Sequence, residues 1–313
     1  MKLLNNINLK DKTTFKIGGI AKNFVILEST EDLERFLKIF KNFDNFYFVL
    51  GGGSNVLIAD KDFKGLIIQP SLKFIQQIED NIIEVGSGVD MFDLVKFTND
   101  YGYKGLENAY GLPGSLGGAI RGNAGCFGFE IKDLVIEVTA FNLKTGELKT
   151  FNKIECDFSY RTSFFKKAKD WLILSTKLFF AHRDKKENLW KISLERLNYR
   201  KNKQPLEYPN AGSVFKNIPF ETAPKLIQDL ALEKNKIKTD PFPIIPAAFL
   251  IAEAGLTGKQ TGQAKISEKH PNFIINLGGA SFNDVISLID YIQKTIEDKF
   301  NIKLEPEIEI VNF

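Results

Sequence analysis

Residues 50–58 read LGGGSNVLI, and this stretch sets three glycines, a serine and an asparagine between two apolar runs. Strand-forming residues 46–50 precede the glycines and residues 56–58 follow them, so the pattern predicts a turn between two strands. A Walker loop needs a lysine after its glycines, and a dinucleotide fingerprint needs a helix after them, so neither motif fits. Bare amides in such a turn can hold a phosphate. The alternative is a hairpin turn without a ligand.

A second glycine-rich segment, GLPGSLGGAIRGNAGCFG, covers residues 111–128. It places apolar side chains such as Leu116 and Ile120 among its glycines, whereas a flexible linker would be polar. This composition indicates main chain packed closely against another backbone or a ligand. A smaller turn, Gly86-Ser87-Gly88, follows a predicted strand at residues 82–85.

The remaining periodicity predicts mixed helices and strands in both halves of the chain. Helices are expected at residues 30–40, from residue 91, within 182–200, at 223–230 and 247–254, and along the apolar face of Val285, Leu288, Ile289, Ile292 and Ile296. Strands are expected at 65–68, 171–180, 273–276 and 307–311, with a hairpin formed by 134–143 and 148–151. Residues 203–217 read as a loop. The charge-rich stretch 182–200 suggests a domain boundary, so the predicted domains are 1–185 and 186–313.

Composition argues against several classes of protein. The chain is 43% hydrophobic and 26% charged with a net charge of +3, so charge alone gives no support for a nucleic-acid partner. Its two cysteines, Cys126 and Cys156, lie outside any Cys/His cluster, and we expect neither a disulfide scaffold nor a metal site. The most apolar stretch, 242–256, is interrupted by prolines and Glu253, so no membrane association and a cytoplasmic location are expected.

Particular motifs are more specific than this general pattern. They are TTFKIGGIA (13–21), LGGGSNVLI (50–58), GLENAYGLPGSLGGAI (105–120), NAGCFG (123–128), YRTSFFK (160–166), KQPLEYPNAGSVFKN (203–217), AGLTGKQTGQAKISEKHPNFIIN (254–276) and LEPEIEI (304–310). These motifs resemble those of the UDP-N-acetylenolpyruvoylglucosamine reductase family, occur in the family's order and span almost the whole chain.

The resemblance implies an α+β fold. An FAD-binding α/β portion of the vanillyl-alcohol-oxidase (PCMH) type, with two α/β subdomains, would occupy residues 1–185, and a smaller α+β substrate-binding domain would follow at 186–313. Turn amides would hold the flavin diphosphate. The implied cofactor-binding residues are Gly51, Gly52, Gly53, Ser54, Asn55, Gly114, Ser115, Gly118 and Ala119. The short spacing from Arg161 to Ser213 is similar to the type II branch, which lacks an extra tyrosine-bearing loop over the substrate.

The implied reaction belongs to peptidoglycan precursor synthesis. NADPH would give a hydride to FAD, and the hydride would then pass to the enolpyruvyl carbon of a UDP-sugar, which yields UDP-N-acetylmuramate. Such chemistry builds negative charge on the substrate and ends with a proton transfer, so it needs a cation and a positioned acid. The expected protein is cytoplasmic and binds small molecules, not nucleic acid or membranes; a monomer is favoured, and the oligomeric state is left open.

Three residues match the family's catalytic positions. Arg161 would stabilise the charge on the substrate carboxylate, Ser213 would donate the proton, and Glu307 would assist. Each has a plainer alternative: a surface ion pair for Arg161, a turn serine for Ser213, and a solvated strand start for Glu307. Because residues two apart in a strand face the same side, alternation alone does not separate Glu307 from Glu305.

Substrate binding is assigned by the same resemblance to Tyr160, Lys203, Lys216 and Asn217. His270 and Ser267 lie in the family-like SEKHPNF (267–273), and His270 is given a structural or binding role in preference to proton transfer. Two departures from the family pattern stand out. Glu309 replaces a frequent arginine, and Arg121-Gly122 replaces a usual apolar pair.

Two rival functions remain open at this point. One is a flavin oxidoreductase of the same superfamily that acts on another substrate. The other is a sugar-nucleotide-binding protein without redox activity, in which the glycine turns hold only the UDP group. Flavin absorbance separates the enzymes from the binding protein.

Overall fold

The computed structural model describes residues 1–40, 46–239 and 241–313. The α-helices are α1 (Glu31–Phe40), α2 (Met91–Asp100), α3 (Leu116–Gly122), α4 (Phe164–Lys167), α5 (Lys186–Lys203), α6 (Lys225–Glu233), α7 (Ala247–Glu253) and α8 (Phe282–Phe300). The strands are β1 (Lys2–Asn8), β2 (Ile20–Leu27), β3 (Tyr47–Val49), β4 (Val56–Ile58), β5 (Phe63–Pro70), β6 (Ile75–Glu79), β7 (Ile82–Gly86), β8 (Tyr103–Lys104), β9 (Gly125–Cys126), β10 (Phe129–Glu130), β11 (Val135–Asn142), β12 (Leu148–Asn152), β13 (Trp171–Phe179), β14 (His182–Arg183), β15 (Asn210–Ser213), β16 (Ile218–Pro219), β17 (Ile244–Ile245), β18 (Gln260–Thr261), β19 (Ala264–Ile266), β20 (Phe273–Asn276) and β21 (Glu309–Val311).

The chain divides into two compact units that do not follow a single cut along the sequence. The first unit contains Met1–Ile7, Ala21–Gly52 and Phe63–Asn198, and the second contains Asn8–Ile20, Gly53–Asp62 and Tyr199–Phe313. The chain therefore passes between the units inside the 50–58 loop and again inside α5. The functional boundary expected between residues 185 and 186 stays a prediction. In the described ranges, no helix combines the length and apolar character needed to cross a membrane.

The first unit contains two main sheets. One has the order β1-β2-β5-β3, in which β2 and β3 each pair with β5 in parallel. The other is antiparallel and has the order β12-β11-β13-β7-β6. The predicted hairpin is confirmed as β11 and β12. One buried cluster joins α1 to the first sheet, and another surrounds α2, α3 and the second sheet. Phe92, near the start of α2, is 42% exposed and stacks on Tyr110.

The hairpin alternative for residues 50–58 is wrong, because the strands on either side of the loop belong to different pairings. β3 pairs with β5, whereas β4 pairs in parallel with β21 at the other end of the chain. The loop is thus a connection between two separate sheets, and its glycines serve some purpose other than closing a two-stranded ribbon.

The second unit is built around α8, whose predicted apolar face is confirmed. Val285, Leu288, Ile289, Ile292 and Ile296 are all at most 1% exposed. Ser281 and Asp284 form a capping box at its start, which satisfies main-chain groups that a helix leaves open. The helix packs on the sheet β15-β20-β19-β18. The expected loop 203–217 contains β15, and the last strand begins at Glu309, two residues later than expected.

Candidate active site

Within the first unit, the two glycine-rich segments come together. A Cβ placed on Gly52 would lie 2.6 Å from the Cα of Gly114 and 2.8 Å from the amide nitrogen of Ser115. A Cβ on Gly51 would lie 2.9 Å from the Ser115 hydroxyl oxygen and 3.9 Å from the Gly118 nitrogen. The absence of side chains at 51 and 52 therefore lets one loop rest against the other. We call this pair of loops, Gly51–Gly52 with Gly114–Gly118, the glycine cradle.

The cradle has an exposed side on which main chain is accessible. Gly52 and Gly118 are both exposed. A Cβ on Gly118 would meet only the Ser115 hydroxyl oxygen, at 3.7 Å, which is ordinary contact. Ala119 is buried behind it and donates its amide to the Ser115 carbonyl. Main chain is therefore accessible to a diphosphate at Gly52 and Gly118, and the amide of Gly118 also donates to the Ser115 hydroxyl at 3.5 Å.

The other three predicted cofactor residues, Gly53, Ser54 and Asn55, belong to the second unit. Gly53 adopts a φ of +65°, and a Cβ there would lie 2.0 Å from the Lys12 carbonyl oxygen. Asn55 donates from Nδ2 to the Glu307 carbonyl at 3.1 Å and accepts the Glu309 amide on its own carbonyl at 2.9 Å. Asn55 therefore holds the main chain of the segment that carries the predicted acid, and this role was missed from sequence.

Arg161 lies in a tight turn of the first unit. Ser159 and Thr162 exchange main-chain hydrogen bonds of 3.1 and 3.2 Å across it, and Arg161 has a left-handed φ of +56°. Its Nη2 donates to the Gly125 carbonyl at 2.9 Å. The Arg161 guanidinium also lies 5.0 Å from the centre of the ring of Tyr160, a predicted substrate residue.

Ser213 lies at the end of β15, directly after an irregularity in that strand. Asn210 pairs with Ile275 and Ser213 pairs with Phe273, so two residues of β15 face one residue of β20. Gly212, inside this bulge, has a φ of +79°. Bulges redirect the side chains that follow them, and this one sets the direction of the half-buried Ser213.

The segment with the two candidate acids runs beside Ser213 in the second unit. Glu307 donates its amide to the Val214 carbonyl at 2.7 Å, and Lys216 donates its amide to the Glu305 carbonyl at 2.9 Å. The side chains differ, because Glu305 is 69% exposed and forms an ion pair with Lys216. Main-chain bonds thus place the segment of Glu305 and Glu307 beside the segment that follows Ser213, and the side chain of Glu305 pairs with Lys216.

The remaining predicted substrate residues have distinct settings. Lys203 is the exposed last residue of α5. Asn217 accepts the amide of Ala247 on Oδ1 at 3.2 Å, which caps the first turn of α7. This capping contact was missed from sequence, because thirty residues separate the two partners along the chain.

His270 lies in a turn of the second unit that leads into β20. The Ser267 hydroxyl accepts the amides of Lys269 and His270, and the His270 ring lies 4.7 Å from the Phe273 ring. Burial, together with the charge of Lys238, lowers the pKa of His270 to about 4. A neutral imidazole at pH 7 agrees with the expected structural or binding role, which stays a prediction.

Comparison with known proteins defines the class and then the family. The family model described as an FAD binding domain matches residues 21–152, and the one described as the UDP-N-acetylenolpyruvoylglucosamine reductase C-terminal domain matches residues 204–311. UDP-N-acetylenolpyruvoylglucosamine reductase of Carboxydothermus hydrogenoformans is 42% identical over 99% of this chain and 94% of its own length. The Bacillus subtilis protein of that name is 35% identical over 99% and 94%.

A crystal structure of UDP-N-acetylenolpyruvylglucosamine reductase from Thermus caldophilus superposes with a TM-score of 0.77, with 30% identity and complete coverage of both chains. Together with the glycine cradle, these matches define an FAD-dependent oxidoreductase with the predicted PCMH-type flavin-binding fold. The chain belongs to the UDP-N-acetylenolpyruvoylglucosamine reductase family. The resemblance, the fold class and the FAD cofactor expected from sequence are confirmed.

Proposed function

We propose that this protein reduces UDP-N-acetylenolpyruvoylglucosamine to UDP-N-acetylmuramate with NADPH as the reductant. The main structural support is the 2.7 Å bond from the Glu307 amide to the Val214 carbonyl, because it places a candidate acid beside the Ser213 segment. The named activity of relatives up to 42% identical supports the same substrate. Residues 1–185 would hold the cofactor and residues 186–313 the substrate, in a cytoplasmic monomer.

The cofactor would be held by Gly51, Gly52, Gly53, Ser54, Asn55, Gly114, Ser115, Gly118 and Ala119. Exposed main chain at Gly52 and Gly118 fits the diphosphate, since neither residue carries a side chain of its own. FAD, when bound, accepts a hydride from NADPH and supplies it to the enolpyruvyl carbon. The chain's own residues have to manage the substrate's charge and its proton.

Arg161, Ser213 and Glu307 would divide that work. The Arg161 guanidinium is a planar donor that suits the substrate carboxylate, which shares the negative charge of the enolate. The Ser213 Oγ would give its proton to the enolate carbon. A hydroxyl is a weak acid in water, so it acts only when it is positioned beside the substrate and near charge. Glu307 would assist that proton transfer.

The UDP portion would be bound by Tyr160, Lys203, Lys216 and Asn217. Lys216 is held by Glu305, so a diphosphate would replace one anion with another at the same ammonium group. Asn217 uses Oδ1 to cap α7, and its amide nitrogen would be the group offered to the substrate.

Rapid-mixing kinetics of a Ser213→Ala variant test this assignment. Flavin absorbance follows the NADPH half-reaction and the substrate half-reaction separately. We expect the NADPH half-reaction to keep its rate, and the half-reaction with the enolpyruvyl substrate to slow by about 10²–10⁴-fold, the usual effect of losing a positioned proton donor.

Ser281→Ala provides a matched control, since it removes a hydroxyl from the N-cap of α8 in the same unit. It should lower stability by about 1 kcal/mol and leave both half-reactions unchanged. Equal slowing of both half-reactions by Ser213→Ala would contradict the role of the serine. Wild-type protein that takes up FAD but does not react with the enolpyruvyl sugar would instead favour another substrate. Protein that binds UDP-sugar but no FAD would favour the binding protein without redox activity.

A further inference from the structure

The direction of the Arg161 side chain depends on the turn that carries it, in which Lys166 also donates to the Arg161 carbonyl at 3.1 Å. The two main-chain bonds between Ser159 and Thr162 close the turn, and the left-handed backbone of Arg161 fixes where its side chain starts. Such a turn holds its direction only if it is tied to a rigid element. The contacts of Ser159 and Ser163 show that the rigid element is the C-terminal end of α3.

Asn123 is the residue that makes this tie. It is fully buried, has a left-handed φ of +42°, and caps the C-terminus of α3. Its Nδ2 group donates to the Ser159 carbonyl and to Glu130 Oε1, both at 3.0 Å. Its Oδ1 accepts the Lys132 amide at 3.3 Å. One side chain therefore joins the helix end, β10 and the turn that carries Arg161.

Two further contacts keep the turn on the same support. The buried Ser163 hydroxyl donates to the carbonyl of Arg121, the residue two before Asn123, at 2.8 Å. The Arg161 guanidinium donates to Gly125, two residues after Asn123, and a Cβ at Gly125 would lie 3.2 Å from Arg161 Nη1. The segment 121–125 thus contacts the turn on both sides of Asn123.

We propose that Asn123 is a positioning residue for Arg161, which acts by fixing the Ser159 carbonyl to the end of α3. The inference rests on the proposed function, because that function gives Arg161 its contact with the substrate carboxylate. Asn123 itself is buried and touches no reacting group. Loss of the Asn123 side chain keeps the guanidinium but removes the bond to the Ser159 carbonyl that helps to hold the turn of Arg161 in position.

Binding of two UDP-sugars to the holoenzyme, measured by calorimetry, tests this role without relying on turnover. UDP-N-acetylmuramate carries a lactyl carboxylate, and UDP-N-acetylglucosamine does not. Glycine tolerates the left-handed backbone of residue 123, so Asn123→Gly removes the side chain without straining the main chain. We expect this variant to bind UDP-N-acetylmuramate about 10-fold more weakly, and to bind UDP-N-acetylglucosamine within about twofold of wild type.

Asn301→Gly is the matched control, because Asn301 also caps a helix in a left-handed conformation, with a φ of +53° at the end of α8. It should change neither affinity. Asn123→Asp serves as the second variant, since it keeps the size and the acceptor for Lys132 but cannot donate to Ser159 when ionised. It should show the same selective loss. Weakening of both ligands alike, or failure of both variants to fold, would mean that Asn123 serves general stability and would overturn the inference.

A double-variant cycle distinguishes a failure of the positioning role of Asn123 from a failure of the proposed role of Arg161. If Asn123 acts through Arg161, Asn123→Gly has no further effect on UDP-N-acetylmuramate binding in an Arg161→Ala background, whereas independent residues give additive losses. Additive losses would refute the positioning role. If Arg161→Ala alone keeps full preference for the carboxylate-bearing sugar, the proposed role of Arg161 is wrong instead. Loss of that preference in Arg161→Ala but not in Asn123→Gly would reject the positioning role alone.

Discussion

Adding one methyl group at Gly52 should damage the glycine cradle more than the same change at Gly51 or Gly118. The new Cβ would lie 2.6 Å from the Cα of Gly114, 2.8 Å from the nitrogen of Ser115 and 3.0 Å from the Gly114 carbonyl carbon. All three neighbours are main-chain atoms, so no rotamer change relieves the overlap. Gly52 does not adopt a left-handed backbone, so the damage caused by alanine would come from steric contact and not from backbone strain.

The size of the effect follows from these distances. Non-bonded carbons prefer a separation of about 3.5–4.0 Å, so the two loops must move apart by about 1 Å. Forcing an extra methyl into packed main chain costs about 1–3 kcal/mol. If FAD requires the loops in their present contact, the same free energy appears as an affinity loss of about 5–150-fold.

Titration of apoprotein with FAD, followed by fluorescence, and thermal unfolding of the same samples measure both quantities. Gly122→Ala is the control, because a Cβ there meets no atom within 4 Å and the residue is helical. It should match wild type in affinity and equal or exceed it in stability. Gly52→Ala protein with wild-type stability and wild-type FAD affinity would refute the reasoning.

Three further outcomes are expected. Glu307→Gln should slow the substrate half-reaction more than Glu305→Gln does, since Glu305 is exposed and paired with Lys216, and the opposite ranking in rapid-mixing kinetics would identify Glu305 as the acid. The pKa of His270 is about 4 in the folded protein and about 6.5 in the unfolded chain. Between pH 4 and pH 6.5 the unfolded state therefore binds more protons than the folded state does. The contribution of His270 to stability should therefore be complete above pH 6.5 and fall by about 3 kcal/mol towards pH 4, and His270→Gln should flatten that slope in denaturant melts. Asn217→Ala should lower the free energy of unfolding by about 1 kcal/mol through loss of the α7 cap, and unchanged stability would show that the cap contributes nothing.

Local periodicity was enough to predict most elements of the fold. Spacing alone predicts the apolar face of α8, the hairpin of β11 and β12, and the strand β20. Burial of one face of an element makes apolar residues recur at a regular interval along the sequence. The partners of short strands leave no such pattern. β4 pairs with β21, more than two hundred residues away, and the composition of neither strand points to the other.

The candidate site was predicted less completely, for a related reason. The resemblance identified Ser213 and Glu307. The hydrogen bonds around them involve main-chain groups, and the sequence does not indicate which main-chain groups will pair. Asn55 was assigned to the cofactor from its motif, and the structure shows that it also holds the Glu307 carbonyl. Asn123 was part of a recognised motif, yet its link to Ser159 needs the fold, because the bond joins a side chain to a distant carbonyl.

The three adjacent glycines at 51–53 illustrate how one motif combines requirements that arise separately. The chain leaves the first unit after Gly52 and enters the second at Gly53. At Gly52 the main chain of Gly114 leaves no space for a side chain. At Gly53 the Lys12 carbonyl leaves no space either, and the left-handed backbone also disfavours residues other than glycine. Packing alone therefore explains these two glycines, and their substitution tests the fold before it tests the cofactor.

Gly118 is different, because a methyl group there makes only an ordinary van der Waals contact with the Ser115 hydroxyl. If Gly118→Ala keeps wild-type stability but loses FAD affinity, the space in front of that residue is reserved for the ligand. If it keeps both, the diphosphate lies elsewhere and the cradle serves packing alone.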